Sequence, residues 1–183
     1  DALGAQFGFE PPRAHGLDTV DAISAMAHGD VDVFFAMGGN FLAAAPDTEA
    51  TAAALARTEL TVQVSTKLNR SHVRGGSASL ILPCLGRTER DLTGGRPQRV
   101  TVEDSMSVVH ASEGTLAPAS PALRSEVAIV AGLAEALWGR DDVVPWGALA
   151  ADYGAIRDRI AAVVPGFADF DRRIDEPGGF VLP

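Results

Sequence analysis

The sequence has little cysteine, a single lysine and no long apolar run. Cys84 is the one cysteine. Neither an internal disulfide nor a cysteine-based metal or Fe–S site therefore fits the chain, which agrees with a reducing, cytoplasmic location. No stretch of about 18 apolar residues occurs, so no membrane-spanning helix is predicted. The net charge of −9 excludes non-specific binding of nucleic acid, because that requires a basic face.

The two ends of the sequence lack the signals of a complete gene product. Neither an initiator methionine nor a signal peptide is present at Asp1. The tail contains Pro177-Gly178-Gly179 and then Phe180, as if a further element were about to begin. We therefore expect an internal piece of a larger protein, with one domain over 1–164 and a linker toward a C-terminal domain over 165–183.

Short apolar runs alternate with amphipathic stretches over the first half of the chain. Each run is rich in β-branched or aromatic residues and stops at glycine, proline or polar residues, which is typical of buried strands. These strands are predicted at 31–37, 60–64 and 78–82. Helices are predicted after the N-cap residue Asp18, ending at Gly29, and after Pro46-Asp47. The alternation predicts an α/β fold, a three-layer Rossmann-like domain with a mostly parallel sheet.

The second half of the chain is predicted to hold loops, a short edge strand at 99–103 and two long helices. Ser120-Pro121, a capping serine followed by proline, predicts the start of a helix that ends at Gly139. The stripe expected to face the core in that helix consists of Leu123, Val127, Val130, Leu133 and Leu137. The last helix is predicted over 146–163, with Trp146 and Tyr153 packed in the core.

Polar or glycine-rich residues follow each strand of the first half directly. Because ligands bind outside the carboxyl ends of parallel strands, we expect these segments to converge at one edge of the sheet. Glycines let a backbone approach a phosphate closely, an asparagine amide can bond a base or ribose, and basic side chains attract phosphate. The segments are Gly38, Gly39 and Asn40, then Ser65, Thr66, Lys67, Asn69 and Arg70, then Cys84, Gly86 and Arg87.

Two interpretations of this pattern stay open at the level of the residues. The segments form a nucleotide or pyrophosphate site, or Gly38-Gly39 is a tight strand–helix turn and the basic loop is a solvated surface. Neither G-x-G-x-x-G nor a P-loop occurs, so a plain NAD or ATP domain is not expected.

The remaining residues of chemical interest are expected to be structural. Glu103-Asp104 is a carboxylate pair, but neighbours on a strand point to opposite faces, so a surface or loop-tethering role is expected for it. His72 and His110 have no partner at metal-ligand spacing and are expected to be surface or hydrogen-bonded residues. Cys84 suits a small buried residue, because no histidine and aspartate arrangement supports a nucleophile. No catalytic or metal-ligating residue is therefore assigned within the chain.

Several strings of residues occur in an order that resembles one protein family. They are FAMGGNF at 35–41, VSTKLNRSH at 64–72, ILPCLGRTE at 81–89 and TVEDSMS at 101–107. With SEVAIV at 125–130 and PGGF at 177–180, they make nearly the whole chain similar to the formate dehydrogenase-like alpha subunits of the molybdopterin oxidoreductases.

The resemblance implies a cofactor and a position for it. Enzymes of this family hold molybdenum or tungsten between a pair of molybdopterin guanine dinucleotides, partly through α/β domains. The segments that would lie beside the guanosine and phosphate end are Gly38, Gly39 and Asn40, and Ser65, Thr66, Lys67, Asn69 and Arg70. The family's metal-ligating residue and, in many members, a 4Fe-4S cluster belong to an N-terminal region outside this sequence. The chain alone would then be inactive. Its partners would be the remaining domains of the longer protein, and the whole would act on a small substrate, with formate as the first candidate.

Two other functions compete with this one. A stand-alone module would bind a free nucleotide or a partner protein through the same strand ends. An α/β relative without cofactor would keep the fold and serve a structural or regulatory role.

Overall fold

The computed structural model describes residues 2–139 and 143–182. Its helices are α1 (Ala2–Phe7), α2 (Thr19–His28), α3 (Phe41–Ala44), α4 (Thr48–Leu55), α5 (Glu126–Trp138), α6 (Trp146–Ala151), α7 (Tyr153–Val163) and α8 (Phe170–Arg173). Its strands are β1 (Val33–Met37), β2 (Leu60–Ser65), β3 (Ala78–Pro83), β4 (Val100–Glu103), β5 (Val108–Ser112) and β6 (Phe180–Val181). None of the helices in the described ranges has the length and apolar character needed to cross a bilayer.

The chain divides into two compact units. Arg13–Cys84 forms one, which we call the parallel-sheet unit. Asp1–Pro12 and Leu85–Pro183 together form the other, which we call the antiparallel-sheet unit. The boundary therefore falls directly after β3, inside the range 1–164 that the sequence suggested as one domain.

The parallel-sheet unit confirms the predicted Rossmann-like α/β fold. Its sheet has the order β1-β2-β3, and both neighbouring pairs are parallel. In the register, Val33 lies opposite Leu60, and Leu60 lies opposite Ala78. All three carboxyl ends therefore lie at one edge of the sheet. The connection from β2 to β3 is short and contains a 3-10 turn at Arg70–Val73.

Side-chain caps and a small apolar core fix the helices of this unit. Asp18 accepts hydrogen bonds from the first backbone N–H groups of α2, and Gly29 ends that helix in the left-handed conformation. Met26 and Leu55, each 1% exposed, bring α2 and α4 together over the Phe34 side of the sheet. Fully burying each such side chain contributes about 1.5–3 kcal/mol to the folded state.

The antiparallel-sheet unit contains strands that the sequence pattern did not reveal. Its sheet has the order β4-β5-β6, with both pairs antiparallel. Only β4 was predicted, and it lies at the edge as expected. α1 (Ala2–Phe7) overlaps the start of the stretch from Gly4 to Gly16, for which the sequence with Pro11-Pro12 predicts a loop.

The tail over 165–182 is part of this unit's core, whereas Pro183 lies outside the described residues. It contains α8 and β6, and β6 pairs with β5. Phe170 and Phe180 are buried against Val109 and Ile174. The guanidinium of Arg173 lies 3.8 Å from the ring centroid of Phe180, a cation–π contact. Residues 165–182, for which the sequence suggested a linker, are therefore packed into this unit.

The predicted start and core face of α5 are wrong. Ser120 accepts a hydrogen bond from the Ala122 N–H in a turn, and the helix begins only after Ser125, whose hydroxyl accepts from Ala128. The buried face consists of Ala131 and Ala134, whereas Val130, Leu133 and Leu137 are exposed. α5 packs against α6. At this contact the rings of Trp138 and Trp146 stack, with their centroids 6.4 Å apart.

The single helix predicted over 146–163 is interrupted at Asp152. Asp152 has extended backbone angles, and its side chain caps α7 by accepting from the Gly154 N–H. Gln98 satisfies the backbone groups on either side of the break. It donates to the Ala151 carbonyl (2.7 Å) and accepts from the Tyr153 N–H (3.2 Å). The hydrogen bonds of Gln98, a residue distant in sequence, therefore stabilise the break between α6 and α7, where the apolar period predicts a continuous helix.

Tyr153 takes part in a polar network as well as in packing. Its hydroxyl donates to Asp91 and lies 2.8 Å from the Ser125 hydroxyl. Asp91 also accepts from the backbone N–H (2.9 Å) and the hydroxyl (2.6 Å) of Thr93. Burial alone would raise the pKa of Asp91, but the hydrogen bonds from Thr93, Tyr153 and Ser125 together lower it. Burial and the neighbouring Asp91 carboxylate raise the pKa of Tyr153.

Asp91→Asn is expected to lower the free energy of unfolding of the antiparallel-sheet unit by about 1 kcal/mol at neutral pH, because a charge-assisted acceptor becomes a neutral one. The folded-state pKa of Asp91 is depressed, so its stabilisation is present above the unfolded pKa of about 3.9 and is lost as the pH falls through the folded value. The difference between wild type and variant should therefore shrink in acid.

Urea unfolding followed by tryptophan fluorescence measures this effect, because Trp138 and Trp146 both belong to the antiparallel-sheet unit. Asp158→Asn, an exposed position on α7, is the matched control and should change the midpoint little at any pH. A difference for Asp91→Asn that stays constant down to strongly acidic pH would contradict the network's role.

Candidate functional site

The loop after β1 exposes a short stretch of backbone. Gly38 and Gly39 both have φ of 68°, a left-handed conformation that glycine adopts without strain. The Gly38 N–H continues the sheet by donating to the Val64 carbonyl (2.8 Å). A Cβ at Gly39 would meet no heavy atom within 4 Å, so the space beside it is open. The N–H groups of Gly39 and Asn40 donate to no acceptor among the described residues.

The loop after β2 carries two exposed cations. The Ser65 hydroxyl donates to the Lys67 carbonyl (2.7 Å) and shapes the turn. Lys67 and Arg70 are exposed, and neither side chain forms an ion pair within the described part of the chain. Thr66 is exposed as well. This loop therefore offers positive charge and a hydroxyl to solvent.

Three hydrogen bonds made by the side chains of Asn69 and Ser71 join these segments. The Asn69 amide Nδ2 donates to the Gly39 carbonyl (2.8 Å). The Ser71 hydroxyl donates to Oδ1 of Asn40 (3.0 Å) and accepts from the Leu42 N–H (3.0 Å). The polar segments after β1 and β2 are thus direct neighbours at the carboxyl edge of the sheet, as parallel strands require.

The third polar segment is divided by the unit boundary. Cys84 is buried, as expected, and its N–H donates to the Ser65 carbonyl (3.2 Å), so the end of β3 lies beside the β2 loop. Gly86 and Arg87 belong to the antiparallel-sheet unit. The site described within the parallel-sheet unit consequently comprises the loops after β1 and β2.

The candidate side chains divide into two groups. Oδ1 of Asn40 caps α3 and accepts from Ser71, while Oδ1 of Asn69 accepts from the Ser71 N–H and its Nδ2 donates across to the Gly39 carbonyl. The Ser65 hydroxyl is likewise held internally. These three side chains hold the loops together. The groups still available to a ligand come from Gly39, Asn40, Thr66, Lys67 and Arg70.

The sequence pattern does not reveal that Ser71 and His72 hold the loop after β2 by hydrogen bonds. Ser71 is 3% exposed and His72 is 7% exposed. Asn69 and His72 form a reciprocal capping box at the turn Arg70–Val73. The spacing Asn-x-x-His resembles the capping box at helix starts, and that signal could have identified the pair.

The other polar candidates have structural roles. Oδ1 of Asp104 accepts from the N–H groups of Met106 (2.8 Å) and Val108 (3.1 Å), while Oδ2 lies 2.9 Å from Nε2 of His110. The hydrogen bond with His110, followed by those two N–H groups, lowers the pKa of Asp104. Asp104 therefore tethers the loop between β4 and β5 and Glu103 is exposed, in keeping with the surface or loop-tethering role expected for this pair. The described residues contain no group of three or more His, Cys, Asp or Glu residues able to hold a metal ion.

Comparisons with known proteins find long relatives but no matching family model. The chain is 59% identical over 182 residues to the uncharacterized oxidoreductase Rv2900c of Mycobacterium tuberculosis, covering all of this chain and 23% of that protein. It is 49% identical over 180 residues to the protein YdeP of Escherichia coli K12, covering 98% of this chain and 24% of that protein. The chain therefore spans about a quarter of the length of these relatives, and it is similar to a segment of proteins of which some are named oxidoreductases.

Proposed function

We propose that the chain is part of a molybdopterin-dependent oxidoreductase of the formate dehydrogenase-like type. In this proposal the parallel-sheet unit contributes to binding the molybdopterin guanine dinucleotide. The observation that carries the proposal is the joined pair of loops, which leaves Lys67, Arg70 and the N–H groups of Gly39 and Asn40 available at one sheet edge. The name oxidoreductase among the relatives supports the type of chemistry.

The residues at this edge fit a pyrophosphate in their chemistry. A dinucleotide presents two linked phosphates, which require cations and N–H donors. Lys67 and Arg70 provide the cations, and the open space beside Gly39 admits a phosphate to the backbone. When bound, the cofactor would supply the metal centre that exchanges electrons with substrate, while the protein places it and tunes its surroundings.

Each side chain then has a role that its contacts support. Lys67 and Arg70 bind phosphate oxygens, and Thr66 adds a hydroxyl. Asn69 holds the β2 loop against Gly39, and Ser65 shapes the turn that precedes Lys67. Asn40 presents its backbone N–H while its side chain is held by Ser71. Asn69 therefore positions the loops through both amide atoms, and Asn40 does so through Oδ1, while the Asn40 Nδ2 donates to no acceptor among the described residues.

The remainder of the reaction belongs to other parts of the longer protein. We propose that those parts supply the metal ligand, an Fe–S cluster and the binding site of a small substrate, with formate as the first to test. The cytoplasm suits this cofactor chemistry and the low cysteine content.

The cofactor content of the full-length protein tests the proposal. We expect about one molybdenum or tungsten and about two pterins per chain, with guanine nucleotide released by acid. Elemental analysis, pterin fluorescence and nucleotide chromatography give the three quantities. Protein that contains none of them, purified from cells able to make the cofactor, would favour the cofactor-free relative. Tight binding of free guanine nucleotides by the 183-residue chain would favour the stand-alone module.

A further inference from the structure

His72 is buried at the base of the β2 loop and accepts a hydrogen bond there. The Asn69 N–H lies 2.9 Å from Nδ1 of His72. A backbone N–H can only donate, so Nδ1 is the acceptor in this bond, and its longer contact with the Asn69 carbonyl (3.3 Å) is not a second hydrogen bond. The proton of the neutral ring then sits on Nε2.

The second ring nitrogen does not hold the ring in place. Nε2 of His72 is buried and has no hydrogen-bond partner among the described residues. A buried donor without an acceptor opposes folding. The polar contribution of His72 within the parallel-sheet unit therefore comes from Nδ1 and its bond to Asn69.

Asn69 transmits this bond to the opposite loop. Its Oδ1 accepts from the Ser71 N–H (2.9 Å), and its Nδ2 donates to the Gly39 carbonyl (2.8 Å). The Asn69 carbonyl also accepts from the His72 N–H (3.2 Å), so the Asn69 backbone and side chain are fixed at four points, of which the His72 ring supplies one. Between Ser65 and Asn69 the chain carries Lys67, and directly after Asn69 it carries Arg70.

We propose that His72 is a positioning residue of the dinucleotide site. By accepting from Asn69 through Nδ1, it fixes the loop that carries Lys67 and Arg70 against the backbone of Gly39. The inference rests on the proposed function and adds a determinant that does not itself touch the ligand. A preorganised loop binds more tightly because less freedom is lost when the ligand arrives.

Three variants of the full-length protein separate the two ring nitrogens. In His72→Asn, Oδ1 can take the place of Nδ1, whereas the longer His72→Gln reaches the place of Nε2. His72→Ala removes both. The measurement is the rate at which purified protein loses the cofactor during incubation, followed as the guanine nucleotide that acid still releases from the protein. Loss should be about tenfold faster for His72→Ala and His72→Gln, as expected for about 1.4 kcal/mol, and close to wild type for His72→Asn.

Hydrogen–deuterium exchange of peptides over 65–74 provides the second readout. His72→Ala should exchange faster there, and His72→Asn should restore the protection. Faster exchange with unchanged nucleotide loss would overturn the inference, because His72 would then be only a structural cap. Rescue by His72→Gln instead of His72→Asn would also overturn it.

The two proposals fail in different ways. If the purified wild-type protein contains no guanine nucleotide, both the proposed function and the inference about His72 are wrong. If the wild-type protein holds guanine nucleotide and all three variants retain it equally well, the inference about His72 fails and the proposed function stands. If His72→Ala does not fold, the comparison of His72→Asn with His72→Gln decides.

Discussion

Replacing Lys67 and Arg70 together by alanine is expected to reduce the retention of guanine nucleotide by the full-length protein about ten- to a hundredfold. A hydrogen bond to a charged group contributes about 1.5–3 kcal/mol when buried and less when exposed. Both side chains are exposed, so about 1 kcal/mol for each is the reasonable expectation. Each 1.4 kcal/mol corresponds to a tenfold change in affinity.

Arg57→Ala is the matched control for this double variant. Arg57 is an exposed cation of the same unit, but it precedes β2 and so lies toward the amino ends of the strands. It should leave nucleotide retention unchanged. The measurement is nucleotide released by acid after incubation at two salt concentrations, since phosphate contacts weaken with salt. Equal losses of nucleotide from the control and from the double variant would mean that the change in net charge, and not contact with the phosphate, reduces retention.

Gly94→Ala is expected to destabilise the antiparallel-sheet unit by about 2–5 kcal/mol. Gly94 has φ of 79°, where an L-residue costs about 1–2 kcal/mol. A Cβ there would also collide with the backbone carbonyl of Ala151 at the end of α6, and overpacking adds about 1–3 kcal/mol.

Gly95→Ala separates the two causes. Gly95 has φ of 80°, and a Cβ there would meet no heavy atom within 4 Å. This variant should lose only the conformational part, about 1–2 kcal/mol. Urea unfolding by tryptophan fluorescence reports both variants through Trp146, which lies on α6. Equal midpoints for the two would show that Gly94 is not packed against Ala151.

The location of the site follows from the sequence because it depends on strand ends. β1, β2 and β3 are short buried runs with local boundaries, and parallel pairing places their carboxyl ends together whatever the side chains do. The use of each side chain does not follow. Asn40 and Asn69 carry amides suited to a ligand, yet both are held by partners that lie 30 or more residues away in sequence. Such pairings depend on the folded loops.

The antiparallel-sheet unit shows why the rest of the fold escaped prediction. The break at Asp152 depends on Gln98, which bonds both sides of it from a distant loop. The core face of α5 is made of alanines, so the largest apolar side chains indicate the wrong face. β6 has two residues and gains its place only by pairing with β5. In each case a tertiary contact outweighs the local pattern.

Hydrogen–deuterium exchange of the full-length protein, with and without its cofactor, shows whether the loops after β1 and β2 bind the dinucleotide. Protein made in cells unable to synthesise molybdopterin provides the cofactor-free state. We expect the cofactor to slow exchange in peptides over 38–44 and 65–74, while exchange in peptides over 19–28 on α2 changes little. Unchanged exchange at both loops, with protection elsewhere in the protein, would contradict the claim that these loops bind the dinucleotide.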